Sequence, residues 1–479
     1  MRRFGRTTLI TVGCFAVLAG LGLARLEAFT PPAWFILGIP ICLILAKARS
    51  KLSLLIVIFL GLAIGLARGS VYVQQLSLLN NYSMHKVTVE GTVLADSVYG
   101  KNSQTTFEIS KIHLSYPAQR ALAGKFKISG FGIPMAYRGD RVQIIGKLYT
   151  YHGGDQASIS YAQIKVLSHN TGWLNDWTRR FSAGMHSALP EPIASFALGL
   201  LIGQRNDLPS TVTTQLTMVG LVHIIAVSGY NLTILVRAAQ KLRLKSKYQR
   251  LAMSLCLIAA FVLVTGFSAS IIRAAVVSVL GLWAWYYGRA LKPLLTIAFA
   301  AALTATANPF YVWGDLSWYL SFLAFFGILE VAPLITGRFL KSQPRLLAQV
   351  IIETMSAEIM TLPLIMMSFG QLSLIGLAAN ALIVPLVPWA MMLSAVAGGA
   401  GALIPQLAGW LAWPASLLLT YMLDIAHLLS GVPSIFLHLS LSPAMMIYLY
   451  VLAGLVIMSL RRRLKNQAVS SAGELAITP

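Results

Sequence analysis

The stretch GLVHIIAVSGYNLTILV, Gly220 to Val236, decides how the chain is read. Its length is most of a membrane helix, which needs about 20 predominantly apolar residues. Yet it carries His223, Ser228, Gly229, Tyr230 and Asn231. An unpaired polar group in an apolar medium costs roughly 1–3 kcal/mol on mutational scales. Polar side chains at membrane depth therefore face other helices or a water-filled path. Ser228-Gly229 also permits a local helix break, tolerated only where protein or cavity surrounds it. Two readings follow: a packing interface in which Ser and Gly let helices approach closely, or the lining of a pathway. From His223 to Asn231 a helix turns by about 800°, a net 80°, so these two share one broad face. Ser228 joins them only if the chain unwinds near Gly229.

Composition sets the frame. Of 479 residues, 57% are hydrophobic and 11% charged, and the mean hydropathy is +0.73. Soluble domains carry about 25% charged residues, so the chain reads as a multi-span membrane protein. The net charge of +22, from 37 Lys and Arg against 15 Asp and Glu, is expected in part from basic loops on the cytoplasmic side. Cys14, Cys42 and Cys256 lie in apolar runs and make no disulfide framework. The sequence holds no CxxC, HExxH or Walker lysine, so neither a metal nor another cofactor is implied. Ser228 follows Ala226 at two residues, which breaks the GxSxG pattern of a nucleophile elbow. No catalytic motif stands out, and an enzyme is not expected.

The amino-terminal region, residues 1–70, holds three apolar runs, Thr7 to Ala24, about Trp34 to Ala46 and Leu52 to Ala67. Arg2, Arg3 and Arg6 precede the first; Lys47, Arg49 and Lys51 separate the second from the third. Basic residues mark the inside, so three crossings put the next segment outside. In that segment, residues 82–168, short runs such as KVTVEGTVL, GKFKISG and DRVQIIGKLY alternate at period two between turn residues, the signature of strands. The pattern predicts an extracytoplasmic small β-barrel, the OB-fold among the candidates. From Tyr82 to Val166 ten Lys and Arg stand against five acids, an excess on the outside that the positive-inside bias does not explain. With interleaved Phe and Tyr this suits single-strand binding, and Lys125, Lys127, Arg138 and Arg141 are the candidate contacts. The other reading has the rings filling the barrel and the bases only solvating it.

Residues 172–219 read as an amphipathic helix followed by a short apolar one, Ile193 to Ile202, too short to span and so re-entrant or lying at the surface. Residues 220–465 form a ladder of apolar segments whose alternate connections carry the bases. About 12 spans result, with both termini inside the cytoplasmic membrane, and residues 466–479 read as a disordered tail. Arg273, after GFSAS, is a charge inside this ladder that either snorkels to an interface or faces the bundle interior. Glu353 and Glu358, five apart on one long helix, are either its partners or the polar face of a tilted helix. Asp315 reads as a helix cap, and Asp424 with His427 as a local pair.

Five stretches together resemble the ComEC-type competence proteins. GLVHIIAVSGYN is similar to the family's GLxHLLAISGLH, and LGLLIGQRNDLP from Leu198 to the segment upstream of it. VTGFSASIIRAA from Val264 resembles TGxxxSxxRA, and DLSWYLSFLAFFGIL from Asp315 the FQLSF segment. AEIMTLPLIMMSFGQLSLIGLAANALIVPLVP from Ala357 completes the set. The resemblance implies an inner-membrane channel subunit that passes single-stranded DNA into the cytoplasm during natural transformation. It also implies possible partners: an extracytoplasmic DNA receptor, a cytoplasmic DNA translocase and a separate nuclease. On this reading His223, Ser228, Gly229, Asn231 and Arg273 line the pathway within the lipid bilayer. Many relatives carry a carboxy-terminal metallo-β-lactamase-like domain; with the sequence ending soon after Lys465, the form expected here is one without it. Tyr230-Asn231 replaces the family's Leu-His, and Asn cannot carry a proton as that imidazole does. A transporter of another solute and a membrane-embedded enzyme are the alternatives.

Overall fold

The computed structural model describes residues 5–26, 51–94, 97–99, 104–122, 124–131, 136–150, 157–170, 172–204, 208–225, 232, 235–236, 239–240, 246–265, 269–289, 292–339, 346–373, 375–432, 436–438 and 440–475. Among them eight helical segments are long and apolar enough to cross a membrane, and three more apolar helices are shorter. The predicted second span, about Trp34 to Ala46, lies outside the described residues. The molecule divides into two compact units, residues 1–182 with 235–318, and residues 183–234 with 319–479.

The first unit begins with helices α1 (Arg6–Leu23) and α2 (Lys51–Asn80), which pack along each other. Gly61, Gly65 and Gly69 repeat at four-residue spacing on α2, the pattern that lets membrane helices approach backbone to backbone. A Cβ on Gly61 would come within 2.7 Å of the Ala16 Cβ, and one on Gly65 within 2.8 Å of the Leu21 amide nitrogen. Helix α2 then runs into the β-domain, where Leu79 joins the barrel core and Leu76 and Tyr82 pack against it.

Strands β1 (Lys86–Val93), β2 (Val98–Tyr99), β3 (Thr105–Tyr116), β4 (Arg120–Leu122), β5 (Phe126–Gly130), β6 (Arg141–Thr150) and β7 (Ala157–Ser168) form one sheet. Five close into a ring: β1 pairs β3 and β6, β6 pairs β7, β7 pairs β5 and β5 pairs β3. The β5–β7 pair is parallel and the rest are antiparallel. Alternate residues point inward, so Val87, Val89, Ile109, Phe126, Ile128, Ile144 and Ile159 fill the interior. Phe126 is the one ring among these seven, and Tyr116, Phe131, Tyr137 and Tyr161 stay on the outside.

After the barrel come α3 (Trp173–Ala188), α4 (Ile193–Ile202), α5 (Ser210–Met218) and α6 (Val222–Ile225). In helix α4 residues Ala194 to Leu200 are all buried, packed by later helices of the second unit. Ten apolar residues are too few to span but enough to be enclosed by longer neighbours.

The ladder continues with α7 (Lys247–Thr265), α8 (Ala269–Tyr286), α9 (Pro293–Ala307) and α10 (Phe310–Gly314), then α11 (Leu316–Phe326). Helices α10 and α11 are separated at Asp315, whose carboxylate Oδ1 accepts the Trp318 N–H at 3.0 Å as a helix cap. A π-helical turn, Gly327–Val331, links α11 to α12 (Ala332–Phe339). Gly327 lies so close to the backbone of Ser356 that no side chain fits.

Next come α13 (Leu346–Phe369), β8 (Gln371–Ser373), α14 (Gly376–Ile383), α15 (Val387–Leu403), α16 (Pro405–Ser430), β9 (Phe436–His438) and α17 (Pro443–Leu475). Strands β8 and β9 pair as a two-stranded ribbon. Residues 466–475, expected to be disordered, continue α17. Helices α14 and α15 together make one membrane-length segment, tightened by a 3-10 turn at Val384–Leu386 where Pro385 removes a donor. The outer faces of these helices expose large apolar side chains, among them Trp410, Leu403 and Leu428, as expected for a surface in contact with lipid.

The glycine seam yields a direct test. Gly65→Leu forces α1 away from α2 and costs at least about 1–3 kcal/mol, the range for overpacking. Gly454→Leu, on α17 with nothing within 4 Å, leaves stability unchanged. Thermal unfolding of the purified protein in detergent checks both.

Candidate nucleic-acid interface and membrane pathway

The focal stretch begins at a bend. Gly220 has φ +73°, a conformation that glycine adopts without strain, and it separates α5 from α6. His223 is exposed, and its Nδ1–H donates to the Gly220 carbonyl at 3.0 Å. Ile224, Ile225, Leu232 and Val236 are buried, so the apolar members face protein while the imidazole does not. Nearby, the Ser373 hydroxyl donates to the Met218 carbonyl at 2.8 Å, fixing β8 against the end of α5. The Gln215 amide donates to His427 Nδ1 at 2.8 Å. The expected Asp424–His427 pair is thus replaced by a contact from α5. Ser228, Gly229 and Asn231 lie outside the described residues, and so does their expected convergence with His223.

Arg273 is fully buried on α8, with Nη2–H donating to the Ser317 carbonyl at 3.1 Å. It faces the interior of its unit rather than snorkelling to an interface. The two candidate glutamates have other partners: Glu353 accepts from Gln349 at 2.8 Å, and Glu358 from Asn380 at 2.5 Å. Arg461 pairs with Glu330 on the π-helical turn.

The four basic candidates on the β-domain are engaged to different degrees. Lys125 Nζ stands 4.0 Å from the Glu108 carboxylate, and Arg141 lies 3.3 Å from Glu90. Lys127 is exposed on β5, directly opposite Glu108. Arg138 is turned towards the helices: it donates to the Val264 carbonyl at 2.6 Å and to the Leu263 carbonyl at 3.0 Å. These are orphan acceptors in the last turn of α7, where a cation is also favoured by the helix dipole. Arg68 does the same for α9, donating to the Thr306 and Ala307 carbonyls at 3.0 and 3.2 Å. The carboxy-terminal ends of α7 and α9 are therefore on the barrel's side of their unit.

Arg138 is held there by a buried carboxylate that sequence reasoning missed. Asp140 is fully buried and accepts three hydrogen bonds. The Tyr137 and Asn170 amides donate at 3.0 and 2.9 Å, and His169 Nδ1 donates at 2.8 Å. Arg179 of α3 lies 4.8 Å over the Tyr137 ring. The clasp ties the start of β6 to the end of β7 and to the helix that follows. The signal available beforehand was Gly139-Asp140, a turn dipeptide before an alternating strand; its partner lies 29 residues further on.

A closed barrel tied by Arg138 to a membrane-length helix defines a class: an integral membrane protein with an appended β-domain. A sequence model of the Competence family, described as competence protein, matches residues 200–463, more than half of the chain, and the chain belongs to that family, of the ComEC type. It is also similar to ComE operon protein 3 of Bacillus subtilis (strain 168), 24% identical over 216 residues. That match covers 44% of this chain and only 27% of the relative's length. No solved structure matches the chain.

Asp140→Ala would strand three donors at a buried site and remove about 3 kcal/mol or more, since bonds to a charged group contribute roughly 1.5–3 kcal/mol each. Limited proteolysis of the full-length protein in membranes should show new cleavage between β5 and α3. Unchanged resistance would mean the clasp does not hold the domain.

Proposed function

We propose that this protein works in DNA uptake during natural transformation, as the membrane body through which single-stranded DNA enters the cytoplasm. Membership of the competence family is the observation that carries the reading. We further infer an OB-type barrel. The ring β1-β3-β5-β7-β6 with its one parallel pair supports it, because a five-stranded Greek-key barrel has that closure.

The orientation follows from charge. Helix α7 starts beside the basic segment Lys241 to Arg250 and ends at the carbonyls that Arg138 holds. Bases mark the inside, so the barrel end of α7 is the outside. By the same charge rule Arg461, Arg462 and Arg463, which close the apolar span of α17, lie inside, as do both termini. The count of about 12 spans remains the reading for the inner membrane, with the eight long helices as its framework.

The protein is proposed as a conduit, not a catalyst. Phosphates need a wet path with hydrogen-bond donors, which neutral His and Asn supply. His223, on the open side of α6, Ser228, Gly229 and Asn231 are proposed to line that path, and Arg273 is proposed to add fixed positive charge. Partners on this reading are a DNA receptor outside, a translocase inside and a separate nuclease.

The test is uptake of labelled DNA in a strain deleted for this gene and complemented in trans. Wild type restores uptake; Asn231→Leu does not, at normal protein levels. His223→Leu lowers uptake about tenfold, the equivalent of one lost hydrogen bond near 1.4 kcal/mol, and His223→Asn is milder. Full uptake by Asn231→Leu would return the stretch to a packing interface.

A further inference from the structure

Lys86 on β1 and Lys147 on β6 are direct partners in the antiparallel register, and both are exposed. Directly opposed side chains have Cβ atoms about 4.5–5.5 Å apart, and like charges there repel. Neither lysine has an acidic partner among the described residues, unlike Lys125 and Arg141. Lys147 Nζ lies 5.8 Å over the Tyr149 ring, which leaves the ammonium charge uncompensated. Two unneutralised cations held side by side on a rigid ladder call for an anion.

Beside Lys86 runs an open groove of about 740 Å³, lined among others by Tyr82, His85, Thr88 and Tyr116. Tyr116 is 65% exposed and stands across from Thr88 in the β1–β3 register, so its ring is free on one face. The groove's floor is firm. Met84, at φ +67°, makes the turn from α2 into β1. That turn is locked by Met84 N–H to the Leu148 carbonyl at 2.7 Å and Leu148 N–H to the His85 carbonyl at 3.0 Å. The His85 ring is fixed by its own bond to the Ser83 carbonyl at 2.9 Å. Cationic and aromatic groups thus meet at the foot of the barrel, where α2 enters it.

We propose that this groove, rather than the β5 face carrying Lys125 and Lys127, is where the barrel holds single-stranded DNA. Lys86 and Lys147 clamp phosphate and Tyr116 stacks a base. The charge selects a polyanion, and a ring beside the charge selects one that has flat bases. The inference rests on the proposed role in DNA uptake.

The experiment uses the full chain in phosphatidylcholine nanodiscs and a fluorescent oligothymidylate, with anisotropy followed across a salt series. Single strands contribute a log–log slope of about −0.7 per phosphate contact. The double variant Lys86→Gln/Lys147→Gln should flatten the slope by about 1.4, and Lys86→Arg/Lys147→Arg should restore it. Tyr116→Ser should weaken binding about tenfold at every salt concentration while leaving the slope intact. Lys125→Gln/Lys127→Gln should change little. If wild type binds and the Lys86/Lys147 variant keeps its slope, the groove is wrong and the uptake reading stands. An unchanged DNA slope with loss of co-purified anionic lipid makes the pair a headgroup site and overturns the proposal. Absence of binding by wild type overturns both readings.

Discussion

A hydrocarbon layer about 30 Å thick offers no hydrogen bonds, and most of this architecture follows from that. Backbone amides must be satisfied within each segment, so the described segments long and apolar enough to cross are helices. Charges inside the layer are costly without partners, and three of those described have one: Arg273 a carbonyl, Glu358 an amide, Glu330 an arginine. Helix contact cannot be driven by apolar transfer when lipid is as apolar as leucine, so it rests on close approach. Gly65 against α1, Gly327 against α13 and Gly401 against Gly184 are three instances of backbone meeting backbone.

The same constraint explains how the β-domain is attached. Where a helix leaves the layer its last carbonyls lack partners, and here arginines from other elements supply them. Arg68 of α2 closes α9, and Arg138 of the barrel closes α7. Asp140 holds the loop that presents Arg138, so one buried carboxylate links strand pairing inside the barrel to the position of a membrane helix. A domain fixed in this way keeps its groove at a set place above its own helices.

Much of this was legible beforehand because it depends on local pattern. The apolar ladder, the alternating β-segment and the cap at Asp315 are periodicity and nearest-neighbour effects. What was not legible depends on register and on distant partners. Lys125 and Arg141 read as contacts in the sequence, yet the fold sets their side chains beside Glu108 and Glu90. Arg138 looked like a surface base because its acceptors lie 126 and 125 residues away. Lys86 and Lys147 looked unremarkable until β1 and β6 put them opposite each other. The ten residues of helix α4 carry no sign of the neighbours that bury them. The centre of the focal stretch, Ser228 to Asn231, falls outside the described residues and stays a reading of sequence.

The account stands on one vectorial claim: the barrel lies outside the cell membrane and the basic start of α7 lies inside. Single cysteines at Gln163 on β7 and Ser246 before α7, in a chain whose Cys14, Cys42 and Cys256 are replaced by serine, test it directly with a membrane-impermeant thiol reagent. Labelling at 163 in intact cells, with labelling at 246 only after permeabilisation, is the predicted result; the reverse pattern, or labelling of both from outside, would contradict it.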